Sequence, residues 1–348
     1  MAVTEDHIDD RQWPPISVIV IGRNEGHRLV RCLRSVRAAD YPAERIELIY
    51  VDTNSTDSSC AEAERIGARV VRINPDRPCA AAARNAGLRA AKHGLIQFLD
   101  GDAVLDASWL KVAAGAMADP ELIAVHGDLA ELDPRGSIYN FWMHHDWHMP
   151  AGKVDTCGGI VLFRRSVLLE AGGYDESLIA GEERDLCCRI LRDRDATILH
   201  LAAPMALHDG NIMRFGQYWR RCFRSGHAYA EVGLRHRRLR RWRRMCQRNI
   251  LHGCALMGAI GLAVAWRTAW PVAVWCGLLG AAIVRDAGRS SARQGTVWGA
   301  LTYAAHHYLA KLPMTLGHLD FYVRHLGLAC PRNLIEYRSP SPEPVREE

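Results

Sequence analysis

At 348 residues and 49% hydrophobic content, the chain is long enough for one large domain plus an appendage and supplies a sizeable core, which excludes disorder throughout. Its eleven cysteines are scattered without a Cys-x-x-Cys pair, which speaks against a disulfide framework or structural zinc and for reduced thiols. The net charge of +5 is uneven: Arg235 to Arg248 holds eight arginines and no acid, a run suited to nucleic-acid phosphates or anionic lipid head groups.

Met1 to Arg11 is polar and acidic, so no secretory signal is expected there. Ile16 to Ile21 is a β-branched run ending at Gly22-Arg23-Asn24-Glu25, a first strand followed by a ligand loop. Leu29, Cys32, Leu33 and Val36 then fall at helical spacing and predict a helix over Arg28 to Ala38. A second strand, Ile46 to Asp52, ends in a carboxylate. The turn Asn54-Ser55-Thr56-Asp57 follows it. A third unit reads as a strand over Ala68 to Ile73 and a helix over Ala80 to Lys92. Strand alternating with helix in this way predicts a parallel sheet wound in right-handed units.

The next strand, within Leu95 to Val104, stops at Asp100-Gly101-Asp102. Ligands in open α/β sheets bind beyond the carboxyl ends of strands, and side chains two apart on a strand project the same way. Both carboxylates therefore reach one hard cation; the bland alternative is an acidic turn. Ala124 to Asp155, rich in Trp, His and Met, has no legible element pattern. Thr156 to Arg164 reads as a strand, Ser166 to Ala171 as a short helix, and Gly181-Glu182-Glu183-Arg184-Asp185-Leu186 as the acidic start of a helix reaching about Arg192.

Four segments in order resemble family 2 of the inverting nucleotide-sugar glycosyltransferases, whose fold is called GT-A. They are Ile16 to Glu25; Val51 to Asp57, with Thr53 and Asn54 departing from Val-Asp-Asp-Gly-Ser-Thr-Asp; Ala82 to Gly87 with Phe98 to Asp102; and Gly158-Gly159, Gly172 to Asp175 and Gly181 to Leu186. The resemblance runs from about Ile16 to about Leu207. It implies an α/β fold with a mostly parallel twisted sheet flanked by helices. It also implies transfer of a sugar from a nucleotide donor to a lipid-linked or polysaccharide acceptor with inversion.

A nucleoside diphosphate leaving group is neutralised by a divalent cation in an oxygen-rich shell, here Mn2+ or Mg2+. By resemblance, Asp102 is the direct ligand, and Asp100 reaches the ribose or the metal through water. His208 either completes the shell or is structural. Asp52 contacts the base or ribose, or caps a helix; Asn24 and Glu25 flank the nucleotide. Arg84 meets a phosphate or is a surface arginine. Glu183 is the base that takes the acceptor proton, with Glu182 and Asp185 orienting the acceptor or the structure. Gly22-Arg23-Asn24-Glu25 is not a Gly-rich phosphate loop, which argues against nucleotidyltransferases and dehydrogenases.

Phe215 to Gly226 bears a faint likeness to the Gln-x-x-Arg-Trp region of polymerising relatives, with a different residue order, and polymerisation is not inferred. Beyond the arginine run, Ile250 to Trp266 and Thr268 to Val284 are apolar except for His252, with only Arg267 between them. They read as a membrane hairpin, spanning or re-entrant, or else as a soluble helical appendage. Trp266, Trp270 and Trp275 suit an interface. The basic flanks, including Arg285, Arg289 and Arg293, place both ends and the catalytic domain in the cytoplasm, at an inner membrane. The arginine run then sits on lipid head groups, and no nucleic-acid partner is expected. Val297 to Leu312 reads as interfacial.

The expected division is a segment 1–14, a catalytic domain 15–234, a basic helix 235–249, apolar helices 250–312 and a tail 313–348. The competing reading is a catalytically inactive, membrane-anchored sugar-binding or assembly subunit.

Overall fold

The computed structural model describes residues 13–193, 196–236, 240–294 and 296–328. Its first hundred residues form three strand–helix units. Strand β1 (Ile16–Gly22) leads to helix α1 (His27–Arg37), β2 (Ile46–Thr53) to α2 (Ser59–Arg65), and β3 (Arg69–Ile73) to α3 (Ala80–Ala90); β4 (Leu95–Asp100) follows. The four strands are parallel, in the order β3-β2-β1-β4.

The apolar runs are continuous because this half of the sheet is covered on both faces. Alternation divides their side chains: Ile16, Val18 and Val20 join the core beneath α1, while Ile19 and Ile21 join the core beneath α3. The one polar side chain inside β4, Gln97, is fully buried and accepts a 2.8 Å hydrogen bond from the Trp109 indole.

The other half of the sheet is mixed, within the mostly parallel sheet that was expected. It comprises β5 (Ala103–Leu105), β6 (Leu122–Glu131), β7 (Gly152–Val154), β8 (Val161–Arg164) and β9 (Thr197–His208). The nine-stranded order continues β4-β8-β6-β9-β5, with β7 on β9. β8 runs antiparallel to β4 and β6, and β9 runs parallel to β6 but antiparallel to β5 and β7.

The strand expected to stop at Asp100-Gly101-Asp102 does end at Asp100, where the Gly101 amide donates to Ile21 O at 2.8 Å, but a further short strand, β5, follows at once and leaves to pair with β9. The strand expected from Thr156 begins only at Val161, which frees Thr156 to Ile160 to line a cleft. The illegible middle segment supplies β6, β7 and α5 (Ile138–Asp146). Helices α4 (Trp109–Ala116), α6 (Arg165–Glu170) and α7 (Glu182–Asp193) complete this part.

Five helices follow: α8 (Phe215–Arg235), α9 (Arg240–Ala265), α10 (Trp270–Gln294), α11 (Val297–Leu309) and α12 (Lys311–His325). Arg235 closes α8 and Arg240 opens α9; residues 237–239 of the arginine run lie outside the described residues. Stretches Arg243–Ala265 and Trp270–Arg289 are long and apolar enough to cross a membrane and are 11% buried each. Trp266 and Trp270 stack at the tip between them, centroids 5.3 Å apart.

The start of the expected tail is instead α12, packed on α8. The cause is two glycines: a Cβ on Gly226 would strike the Met314 backbone, and one on Gly317 would strike the Phe223 carbonyl. Buried His318 donates from Nδ1 to Gly226 O at 2.6 Å, and Thr315 donates to Asn249 O at 2.7 Å, tying α8, α12 and α9 together. Ten of the cysteines are described, and all ten are free thiols.

Candidate active site

A cleft of about 710 Å3 opens at the carboxyl ends of β1 and β4, walled on its far side by the Thr156–Ile160 loop, the start of α7, and Arg221 and Arg224 of α8. The position follows from the topology, since the sheet changes direction beside β4.

Asp100 ends β4, Asp102 follows it across Gly101, and His208 ends β9, opposite Ala103 in the β5–β9 register. One ligand atom from each of these three residues lies within 4.8 Å of the others. His208 Nε2 stands 3.5 Å from Asp102 Oδ1. Burial pushes the His208 imidazole down to about 4, so it is neutral near pH 7, the form that ligates a metal. Two carboxylates and a neutral imidazole make a donor set that fits Mn2+ or Mg2+. Gly101 is required here: a Cβ would lie 3.0 Å from Ile21 O and 3.3 Å from the Glu25 side chain.

Glu182 and Glu183 open α7. Both oxygens reach Arg84 Nη1, at 2.9 and 3.1 Å, while Arg84 Nη2 holds Asp100 Oδ1 at 3.0 Å. Arg84 also lies beneath the Tyr174 ring, 5.5 Å from its centroid. Of the two expectations for Arg84, the surface arginine is ruled out: the residue is buried, and its Nη1 and Nη2 are taken by three carboxylates that together raise its pKa against the cost of burial. It joins the metal side of the cleft to the α7 side. Burial first, and the neighbouring Glu182 charge second, raise the Glu183 carboxyl, with Arg84 acting the other way.

Asn24 and Glu25 line the cleft as expected, Asn24 in a left-handed conformation with φ of 55°. Asn24 Oδ1 accepts from Thr56 N at 2.8 Å, and Glu25 pairs with Arg28 at 2.9 Å. Asp52 is buried behind this wall, accepting from Tyr50 Oη at 3.0 Å and Ser55 N at 2.9 Å; the neighbouring Thr53 lines the cleft instead. Of the two roles expected for Asp185, orienting the acceptor or the structure, its contacts match the second. Its oxygens are held by Arg189 and His236 at 2.8 Å each, and it anchors α7 away from the cleft.

Four residues beyond the expected site residues contribute. Trp147 packs edge-on against His208, centroids 4.9 Å apart, at the end of the segment whose elements were illegible. His126 and His200, paired across β6 and β9, line the cleft floor. Gly159 lines the cleft where a Cβ would collide with Arg84 Nη2 and approach Asp100 Oδ2 and Glu183 Oε1 to 3.2 Å each. The Gly158-Gly159 pair was the visible signal for that last position.

Residues 17–170 match the model of Glycosyl transferase family 2. The chain is 25% identical over 177 residues to "Glycosyltransferase AglE" of Haloferax volcanii, which covers 48% of this chain and 58% of that protein. It is 26% identical over 238 residues to the "Pre-mycofactocin glycosyltransferase" of Mycobacterium tuberculosis, 64% of this chain and 48% of that one. The chain thus spans about half the length of these relatives. Among solved structures, the mannosyltransferase PcManGT from Pyrobaculum calidifontis, in complex with GDP-Man and Mn2+, superposes with a TM-score of 0.61. That match has 19% identity and covers 88% of each chain; it shows a shared GT-A-type fold.

Proposed function

We propose, for a chain whose residues 17–170 form a glycosyl transferase family 2 domain, that it transfers a sugar from a nucleotide-sugar donor to a lipid-linked or polysaccharide acceptor with inversion. The observation that carries this reading is one cleft with the Asp100–Asp102–His208 cluster on one side and Glu183 on the other, joined through Arg84.

Asn24, Glu25 and Thr53 border the place of the nucleotide. A Mn2+ or Mg2+ ion held by Asp102, Asp100 and His208 supplies charge neutralisation for the departing nucleoside diphosphate. Glu183 takes the proton of the acceptor hydroxyl, whose oxygen forms the new bond at the anomeric carbon. The old bond to phosphate breaks there, and its electron pair leaves with the diphosphate. Attack opposite the leaving group inverts the carbon. The raised affinity of Glu183 for a proton suits a base that must capture one near neutral pH. Arg84 keeps the three carboxylates at fixed spacing and offsets their mutual repulsion.

The apolar α9–α10 hairpin lies in a membrane in this reading, with the arginines flanking it on anionic head groups and the cleft on the cytoplasmic side.

The test is release of nucleoside diphosphate by the detergent-solubilised chain from UDP-, GDP- and dTDP-sugars, with Mn2+, Mg2+ or chelator. One donor is expected to turn over only with metal, and Asp102→Asn to lose at least about a hundredfold in rate. Glu183→Gln is expected to lose turnover while still binding donor. Turnover that survives chelator and Asp102→Asn alike defeats the metal assignment, and donor binding without turnover in the unaltered chain, acceptor supplied, favours a sugar-binding subunit.

A further inference from the structure

At the edge of the cleft, which Asp146 lines, α5 and α11 bring a second set of metal-binding side chains together. Asp146 ends α5, and His306 and His307 lie on α11; one ligand atom from each falls within 4.8 Å of the other two. We propose that Asp146, His306 and His307 form a second divalent-cation site, for Zn2+ or a similar borderline ion, that clips α11 to the catalytic domain.

The donor chemistry differs from that in the cleft. Two imidazoles and one carboxylate favour Zn2+, which takes three protein ligands and leaves a fourth position to water. The cleft set, with two carboxylates, favours harder ions.

The geometry is half made. His306 Nε2 and Asp146 Oδ2 already stand 3.0 Å apart, close to the roughly 3.3 Å edge of a tetrahedral shell with ligands near 2.0–2.1 Å. His307 is exposed and has the freedom to swing in by the remaining distance. The outer partners are also in place. Tyr218 Oη sits 2.8 Å from His306 Nδ1, and Tyr303 donates to Asp146 Oδ1 at 3.0 Å. His306 Nε2 thus faces Asp146 Oδ2, and Nδ1 faces Tyr218 Oη. Coordination at Nε2 would leave the proton on Nδ1, where it would donate to the Tyr218 oxygen, as the second nitrogen of a ligating histidine usually donates to an outer partner. Trp142, stacked on the His306 ring at 5.0 Å, excludes water from one side.

The site would matter to the cleft because Trp147, the residue after Asp146, packs against His208.

The experiment uses the full chain in detergent, stripped with chelator and titrated with ZnCl2, read by calorimetric stoichiometry and by melting temperature. Three forms are compared: unaltered, His307→Ala and Asp102→Asn. His307 is exposed and outside the catalytic machinery, so its removal spares the fold. The unaltered chain and Asp102→Asn are expected to bind Zn2+ at this site and to melt roughly 5 °C higher at a hundredfold excess over Kd. His307→Ala is expected to lose at least tenfold in affinity and that shift. An equal Zn2+ response in His307→Ala, its loss in Asp102→Asn, or no response in the unaltered chain would each overturn the proposal.

Discussion

Gly159 shows how little space separates the two sides of the cleft. Arg84, Asp100 and Glu183 all converge on the point where its Cβ would stand. Gly159→Ala should therefore push the Arg84 guanidinium off its carboxylates and cut turnover by about a hundredfold, in line with the cost of a misplacement near 1 Å. An unchanged circular-dichroism spectrum with near-normal nucleoside diphosphate release would remove Gly159 from the site. His126 supplies a second test. Burial, reinforced by the facing His200 imidazole, lowers His126 to about 4 from its ordinary 6.5. The unfolded chain thus binds the proton first as pH falls from 6.5 to 4, and stability declines across that window by up to roughly 3 kcal/mol. His126→Phe should flatten the acid limb of melting temperature against pH between 4 and 6.5; a limb of unchanged slope assigns it to other groups.

Side chains explain which of these roles could be read in advance. The placement of Asp100, Asp102 and Glu183 on the cleft was legible, because the carboxyl end of a strand in an open α/β sheet is where ligands bind. Arg84 was not: its Ala-Ala-Arg-Asn setting on α3 is the same whether the residue meets solvent or three carboxylates, and only the fold decides. The structural alternative for Asp185 was only half local, since Arg189 lies one turn further along the same face of α7 while His236 comes from the end of α8.

At the scale of elements, local pattern sufficed where neighbours in sequence are neighbours in space. The strands β1 to β4 announce themselves as apolar runs between helices, with boundaries off by a residue or two. The pairing of β6, β8 and β9 joins segments far apart in the chain, and nothing in the Trp- and His-rich stretch encodes which partner each will take. Helix α12, most of which lies in the stretch expected as a tail, contains both Pro313 and Gly317. Pro313 falls in the first turn, where a missing N–H costs little, and Gly317 is a packing requirement. Gly317→Ala should consequently destabilise by about 1–3 kcal/mol through overpacking against Phe223. Gly233→Ala, on α8 with open space at its Cβ, should instead be neutral or add about 0.5–1 kcal/mol. Denaturant titration of the two variants separates these outcomes, and equal effects would contradict the close helix contact.

For the molecule as a whole, two stretches of apolar helix with exposed Leu251, Met257, Val264, Leu278 and Val284 have too little protein around them to account for their composition. The full chain should float with anionic vesicles and stay with them through a wash in 1 M salt, where the Debye length falls to about 3 Å. Release by salt alone would show that the arginines, and not the apolar hairpin, provide the attachment.

The glycine contact between α8 and α12 carries a last consequence. The helix bordering the cleft is seated backbone against backbone on the helix that also grips α9 through Thr315. In a bilayer the reacting carbon would then be held at a set altitude above the acyl chains, as on a bracket. Under the proposed function, an acceptor would have to bring its hydroxyl up to that altitude itself, so the reach of its own headgroup, counted in sugar or phosphate units, would become a criterion of selection alongside the shape of the cleft.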